Sequence, residues 1–213
     1  MAVVASGRTV PKPGPLTVDD LQHTPDDGRR YELVDGRLDA APAPSSLHTL
    51  ATGRLTAHLS YAAPVGMLVM DGPGITLDTE RTRHRIPDVA VIRSEDFQMP
   101  YTTRPPVLAI EVVSPESVFR DHHTKRREYA EFGVPSYWVI TPDRDKASII
   151  ELRLEDGEYA EVSAAFGEEV FETSVPFPAR IVPQWMLRLD GDWRAHIAGP
   201  EETEETTRPP AGD

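Results

Sequence analysis

Residues 107–113 read Val-Leu-Ala-Ile-Glu-Val-Val, apolar on both faces of an extended chain. A run of that kind belongs in the middle of a sheet, covered on both sides. Its exception is Glu111. An ionised carboxylate in an apolar strand is strongly unfavourable unless something positive compensates it, so Glu111 demands a partner. A second short strand, Asp88-Val89-Ala90-Val91-Ile92, begins with an acid, and Pro87 before it favours an extended approach. Set side by side, Asp88 and Glu111 repel each other and drive one pKa upward unless a cation lies between them. A magnesium ion, which takes a few carboxylates plus water in octahedral geometry, resolves that conflict.

The segment after Glu111 reads as a helix. Ser114-Pro115-Glu116 offers a serine cap and a first-turn proline, the regular part begins near Asp121, and Gly133 ends it. Val118, His122, Lys125, Tyr129 and Phe132 recur at helical spacing and form one stripe, which should face the sheet. Lys125 therefore points inward. The chain otherwise uses arginine, its lysines being Lys12, Lys125 and Lys146. A compact ammonium beside buried acids is suited to orient a water or to stabilise developing negative charge. The duller reading is a structural Glu111–Lys125 ion pair with Asp88 merely starting a strand. It is the better reading for any one of the three; their coincidence on strand, strand and following helix favours a site.

Around this centre the pattern is mixed. Leu16 to Leu21 reads as a short helix capped by Thr17. Tyr31 to Val34, Asp35-Gly36 and Arg37 to Ala40 form a hairpin signal, because Asp-Gly supplies the positive φ angles of a tight turn. Ser45 or Ser46 caps a helix running to about Ala62, with His48, Ala51, Leu55, Leu59 and Ala62 on one face. Met67 to Met70 and Gly74 to Leu77 read as one or two strands. Ser136 to Ile140 is a further buried strand, so strand, helix and strand predict a parallel pair. Beyond Thr141-Pro142, Ile149 to Leu154 and Glu158 to Val162 flank a turn at Glu155-Asp156-Gly157 and predict a second hairpin, peripheral to the core.

At 213 residues the chain suits one domain, expected over residues 16–198. Residues 1–15, with Pro11, Pro13 and Pro15, read as a flexible arm, and residues 199–213, rich in glutamate and proline, as a disordered acidic tail. The absence of cysteine excludes disulfides, thiolate chemistry and Cys-ligated zinc, so a metal must be held by oxygen or imidazole. Neither a signal peptide nor a membrane-spanning run is apparent, which makes the cytoplasm the expected compartment. A net charge of -13 argues against coating nucleic acid but leaves room for a local basic cleft. Arg29-Arg30, the run Arg81, Arg83, His84, Arg85, and the run Arg120, Lys125, Arg126, Arg127 are candidate pieces of one; scattered solvated charge is an equally good reading of each.

The order of these pieces resembles the PD-(D/E)xK nuclease superfamily and, more closely, the Uma2-family endonucleases. The resemblance rests on Tyr31-Glu32-Leu33-Val34-Asp35-Gly36, the helix start at His48, Pro87-Asp88-Val89-Ala90-Val91-Ile92, and Ile110-Glu111-Val112-Val113-Ser114-Pro115. It continues through Arg120-Asp121, Lys125 and Tyr129 to Gly133-Val134-Pro135-Ser136-Tyr137-Trp138-Val139, spanning roughly residues 16 to 190. It implies an α/β (α+β) fold with a restriction-endonuclease-like core. In that fold a mixed central β-sheet is flanked by helices, with an N-terminal hairpin and a C-terminal β-hairpin extension. It also implies magnesium, replaceable by manganese, bound by Asp88 and Glu111 with Glu32 as a third acid, and catalysis by Glu32, Asp88, Glu111 and Lys125. The lysine expected two residues after Glu111 is Val113 here, and Lys125 takes over that part from the next helix. His48 either lines the same cleft or is a packed core histidine.

The implied chemistry is hydrolysis of phosphodiester bonds in DNA, bound in a local cleft, with a homodimer favoured for cutting both strands of a duplex. An alternative is a nuclease fold that no longer cuts and serves as a binding or assembly module. Retention of an expensive acid cluster argues against that. No Gly-x-Ser-x-Gly elbow, phosphate-binding glycine loop or His-Glu-x-x-His run supports another hydrolase.

Overall fold

Local turn and cap chemistry sets the outer elements. The computed structural model describes residues 2–5, 8–11, 14–113 and 120–200. The stretch expected as a loose arm contains an antiparallel ladder of β1 (Ala2–Ala5) and β2 (Arg8–Pro11). The helix expected near Leu16 is a 3-10 helix at Val18–His23. Thr17 closes its start by donating from its backbone N–H and its hydroxyl to the Asp20 carboxylate, at 2.8 and 3.1 Å. Next, β3 (Tyr31–Val34) and β4 (Arg37–Ala40) pair around Asp35 (φ 48°) and Gly36 (φ 73°), the two left-handed residues that a tight hairpin turn requires.

Helix α1 (Ser46–Ala62) begins where the Ser45 hydroxyl accepts the His48 backbone N–H at 3.2 Å. Ala51, Leu55 and Leu59 are fully buried on its inner face. Ala62, expected on that face, is exposed, because it sits in the last turn just before Ala63 leaves the helix in extended conformation. Four strands follow: β5 (Met67–Asp71), β6 (Ile75–Thr76), β7 (His84–Arg85) and β8 (Val89–Arg93). Then come β9 (Leu108–Val112), helix α2 (Arg120–Phe132) and β10 (Ser136–Thr141). The long hairpin of β11 (Ser148–Glu155) and β12 (Glu158–Phe166) turns at Asp156 (φ 50°) and Gly157 (φ 87°). β13 (Phe171–Thr173), β14 (Ala179–Ile181) and the short α3 (Trp193–His196) complete the order. The expected helix start at Ser114-Pro115-Glu116, the side chains of Val118 and His122, and the acidic stretch 201–213 lie outside the described residues.

The main sheet is six-stranded and mixed, in the order β12-β11-β10-β9-β8-β5. β9 and β10 are parallel, joined through α2, while their outer neighbours run antiparallel. All of β9 is buried, on alternating faces: Leu108, Ile110 and Val112 pack with Leu55 and Leu59 of α1, whereas Ala109 packs with Tyr129 of α2. The helices therefore cover opposite faces, as a strand apolar on both sides requires. A smaller antiparallel sheet, β4-β3-β7-β6, carries Glu32 and Arg85 alongside the main one. Among the described residues no helix is long and apolar enough to cross a membrane.

The second hairpin is not peripheral. β11 pairs with the whole of β10, Ile149 is fully buried on the α1 side, and Leu152 and Tyr159 are buried on the α2 side. The alternation that reads as a half-exposed strand comes from Glu151, which is buried because Arg153 donates to it at 2.6 Å and Thr173 at 3.1 Å.

Two glycines with similar backbone angles separate strain from clash. A Cβ on Gly157 meets nothing within 4 Å, whereas one on Gly36 stands 2.3 Å from the Pro15 Cβ and 2.9 Å from its Cα. Gly157→Ala should lower unfolding free energy by about 1 kcal/mol, the left-handed penalty alone. Gly36→Ala should lose about 1–3 kcal/mol more through overpacking, read from urea denaturation midpoints.

Candidate active site

Antiparallel register sets the two central acids together. Val89 pairs with Ile110 and Ala90 with Ala109, so one further step puts Asp88 opposite Glu111, on the face covered by α2. The Val112 backbone N–H donates to Asp88 Oδ2 at 2.8 Å, which ties the carboxylate to the end of β9. His48, in the first turn of α1, reaches Asp88 Oδ1 with its Nε2 at 3.0 Å, and Arg30 stands 3.6 Å from the same oxygen. Of the two readings of His48, the structure places it against the acid cluster.

Glu111 is buried within its strand and is met by α2. Lys125 donates to both its oxygens, at 3.1 and 3.0 Å, and the Tyr129 hydroxyl donates to Oε1 at 2.8 Å. Lys125 and Tyr129 are four residues apart, so both reach the same side of the helix, as the stripe predicts. The ammonium also lies 3.2 Å from Glu32 Oε1 and thus bridges two acids from different sheets. Glu32 in turn accepts the Ile86 backbone N–H at 2.9 Å and the Arg85 guanidinium at 3.0 Å. All four residues singled out as catalytic, Glu32, Asp88, Glu111 and Lys125, therefore converge from β3, the position just before β8, β9 and α2.

The electrostatics follow from burial and from the charges packed around each group. Burial pushes the Glu111 carboxyl up to about 7; Lys125 opposes this, while the charges of Asp88 and Glu32 add to it. For Glu32 burial acts the same way, but Lys125, Arg85 and the Ile86 amide outweigh it and hold the carboxyl below its usual range. Lys125 is driven well above the usual lysine value: burial opposes its charge, and Glu111 and Glu32 overcome that. His48 is raised by its hydrogen bond to Asp88, against the effect of burial. The oxygens of the acids are directed at Lys125, Arg85, His48 and backbone amides. Among the described residues no three His, Asp or Glu side chains are already arranged around an ion-sized space. Even so, Glu32, Asp88 and Glu111 offer oxygen donors only, which suits a hard divalent cation.

Two members of the centre escape sequence reasoning. Arg85 and Glu128 are both buried and form a two-pronged pair, Nε to Oε2 at 2.7 Å and an NH2 to Oε1 at 2.9 Å. The available signal for Glu128 was its place three residues after Lys125, on the same helical face. For Arg85 no signal existed, because it reads as one more residue of a basic run. That run is not a cleft: Arg81 pairs with Asp19, Arg83 with Glu131, and Arg85 is internal. Arg29 pairs with Asp27 and Arg127 with Glu131, while Arg126 donates to the Tyr159 carbonyl. Of the expected basic pieces, Arg30, Arg85 and Lys125 lie at the acids, and the side chain of Arg120 lies outside the described residues.

Comparison with known proteins bears on this arrangement. No curated protein matches the chain. Among solved structures it is similar to one described as a putative nuclease belonging to DUF820 from Anabaena variabilis, with a TM-score of 0.60 and 16% identity. The match covers 76% of this chain and 90% of that one. At that identity the likeness is one of fold. Residues 18–183 match the sequence model of the Uma2 family, described as putative restriction endonuclease. With hairpin, central strands and following helix in that order, and the match running from the first 3-10 helix to past β14, the chain belongs to the Uma2 family.

Proposed function

We propose that this protein is a metal-dependent endonuclease that hydrolyses phosphodiester bonds in DNA. The observation that carries the reading is the convergence of Glu32, Asp88, Glu111 and Lys125, with the two central acids opposite each other in register and the ammonium between two of the three acids. Magnesium would be held by Asp88 and Glu111, with Glu32 reaching the ion or its water, and manganese would substitute. When bound, such an ion polarises a phosphoryl oxygen and lowers the pKa of water.

The chain's own residues supply the rest. Tyr129 and Lys125 hold the Glu111 carboxylate in one orientation, and the Val112 amide and His48 do the same for Asp88. Lys125, once released from one of its acids, is placed to hydrogen-bond an attacking water or to neutralise charge on the pentavalent phosphorus. The side chain of Arg30 is 44% exposed against 7% for Glu111, so a phosphate backbone would approach from the Arg30 and His48 side. Because few cations face that side, binding would be short-range, with a salt dependence set by the small number of phosphate contacts.

Cleavage of plasmid and oligonucleotide DNA with magnesium or manganese tests the reading. Asp88→Ala should abolish cutting, and Lys125→Ala should slow it by about 10²–10⁴-fold. Unchanged cutting by both variants rejects the assigned roles. A wild-type protein that binds DNA but cuts no nucleic acid favours the alternative, a nuclease-fold binding module.

The raised Glu111 carboxyl gives a pH prediction. A group protonated below about 7 must lose its proton before it can ligate a cation, so affinity for magnesium should rise with pH up to about 7 and level off above it. Calorimetric titration in buffers of differing ionisation enthalpy should detect close to one proton released per ion at pH 6 and fewer at pH 8. Release of no proton at either pH would contradict the assignment of Glu111 as a ligand.

A further inference from the structure

Helix α2 reads Arg-Asp-His-His-Thr-Lys-Arg-Arg-Glu-Tyr-Ala-Glu-Phe, with its apolar residues confined to Tyr129, Ala130 and Phe132 in the last turn. Apolar burial therefore anchors the C-terminal end and leaves the turn that carries Lys125 to be fixed by polar contacts. The strongest of these is internal. Arg85 and Glu128 are each 4% exposed, and their planar two-pronged geometry fixes distance and rotation together. The remaining Arg85 nitrogen donates to Glu32 Oε2 at 3.0 Å, while Glu32 Oε1 takes the Ile86 amide and faces Lys125. Each Glu32 oxygen is thereby assigned to a different cation. Each of the three guanidinium nitrogens of Arg85 donates to Glu128 or Glu32.

We infer that Arg85 and Glu128 are positioning residues: their buried pair locks the rotation of α2 against β7 and so sets the Lys125 ammonium between Glu32 and Glu111. The inference deepens the nuclease reading and rests on it only for its catalytic consequence. A single unpartnered charge left in this pocket would be strongly destabilising, whereas removing both partners is tolerated far better. The informative variants are therefore Glu128→Gln, which keeps shape and polarity, and the double variant Arg85→Met with Glu128→Met.

The chain's three lysines make the readout direct. Full-length protein would be treated with an amine-modifying reagent and the labelling of Lys125 measured by mass spectrometry, with Lys12 and Lys146 as references in the same sample. In both variants, at temperatures where circular dichroism reports a folded chain, Lys125 should be modified at least about tenfold faster than in wild type, since its protection reflects the docked helix. Arg85→Lys, charged but without the fork, should fall between. In DNA cleavage the folded variants should lose about 10- to 100-fold in kcat with KM little changed, as expected of a misplaced but present ammonium. Wild-type labelling of Lys125 in a folded variant overturns the inference; if the double variant does not fold, Glu128→Gln decides alone. A wild-type protein that cuts nothing, while Lys125 labelling still responds to these substitutions, sinks the nuclease reading and leaves the positioning role standing.

Discussion

A carboxylate in the most buried strand of the sheet has to be neutralised from outside that strand, and Glu111 imposes this on everything near it. Its own neighbours on β9 are aliphatic, so the compensation comes from α2, through Lys125 and Tyr129. One ammonium does not balance the acids present. Glu32 shares Lys125, and Glu32 then needs Arg85, and Arg85 needs Glu128, which returns the chain of charges to α2. The network closes on the helix from which it started. Parallel pairing of β9 with β10 makes that helix the connection between them, so topology and electrostatics bind the same segment.

The same balance shapes the chemistry. Burial, aided by the charges of Asp88 and Glu32, raises the Glu111 carboxyl, and Glu111 and Glu32 together hold Lys125 protonated. The Lys125 ammonium bridges Glu111 and Glu32. Elsewhere the arginines are spent on surface partners: Arg81 on Asp19, Arg83 on Glu131, Arg188 on Asp190. An acidic protein of this kind offers polyanions little long-range attraction.

Much of the fold was legible in the sequence, for identifiable reasons. Asp35-Gly36 and Asp156-Gly157 mark their hairpins because few other residues accept two consecutive left-handed conformations. Ser45 and Gly133 mark helix ends, and the runs at 89–92 and 108–112, aliphatic but for Glu111, mark strands, because burial on both faces favours apolar residues. What escaped was of two sorts. β7, of two residues, is too short for any periodicity and exists only through its neighbours, whereas β6 lies within the strand expected at Gly74 to Leu77. β11 was misjudged as peripheral because Glu151 resembles a solvent-facing residue, and only its contacts with Arg153 and Thr173 make it an internal one.

Of the centre itself, the sequence determined which groups had to be neutralised. An acid in an apolar run, an acid at the head of its neighbour and a lysine on the inner helical face are properties of composition and spacing, and spacing determines which side of a strand or helix a residue occupies. The partners across elements were decided by tertiary structure alone. That Arg85 rather than Arg81 or Arg83 goes inside, and that Glu128 meets it, depends on how a two-residue strand stacks against a helix more than forty positions away, as their separation of 43 shows. No local pattern encodes that distance, because charge pairing is set by three-dimensional proximity and desolvation rather than by sequence interval.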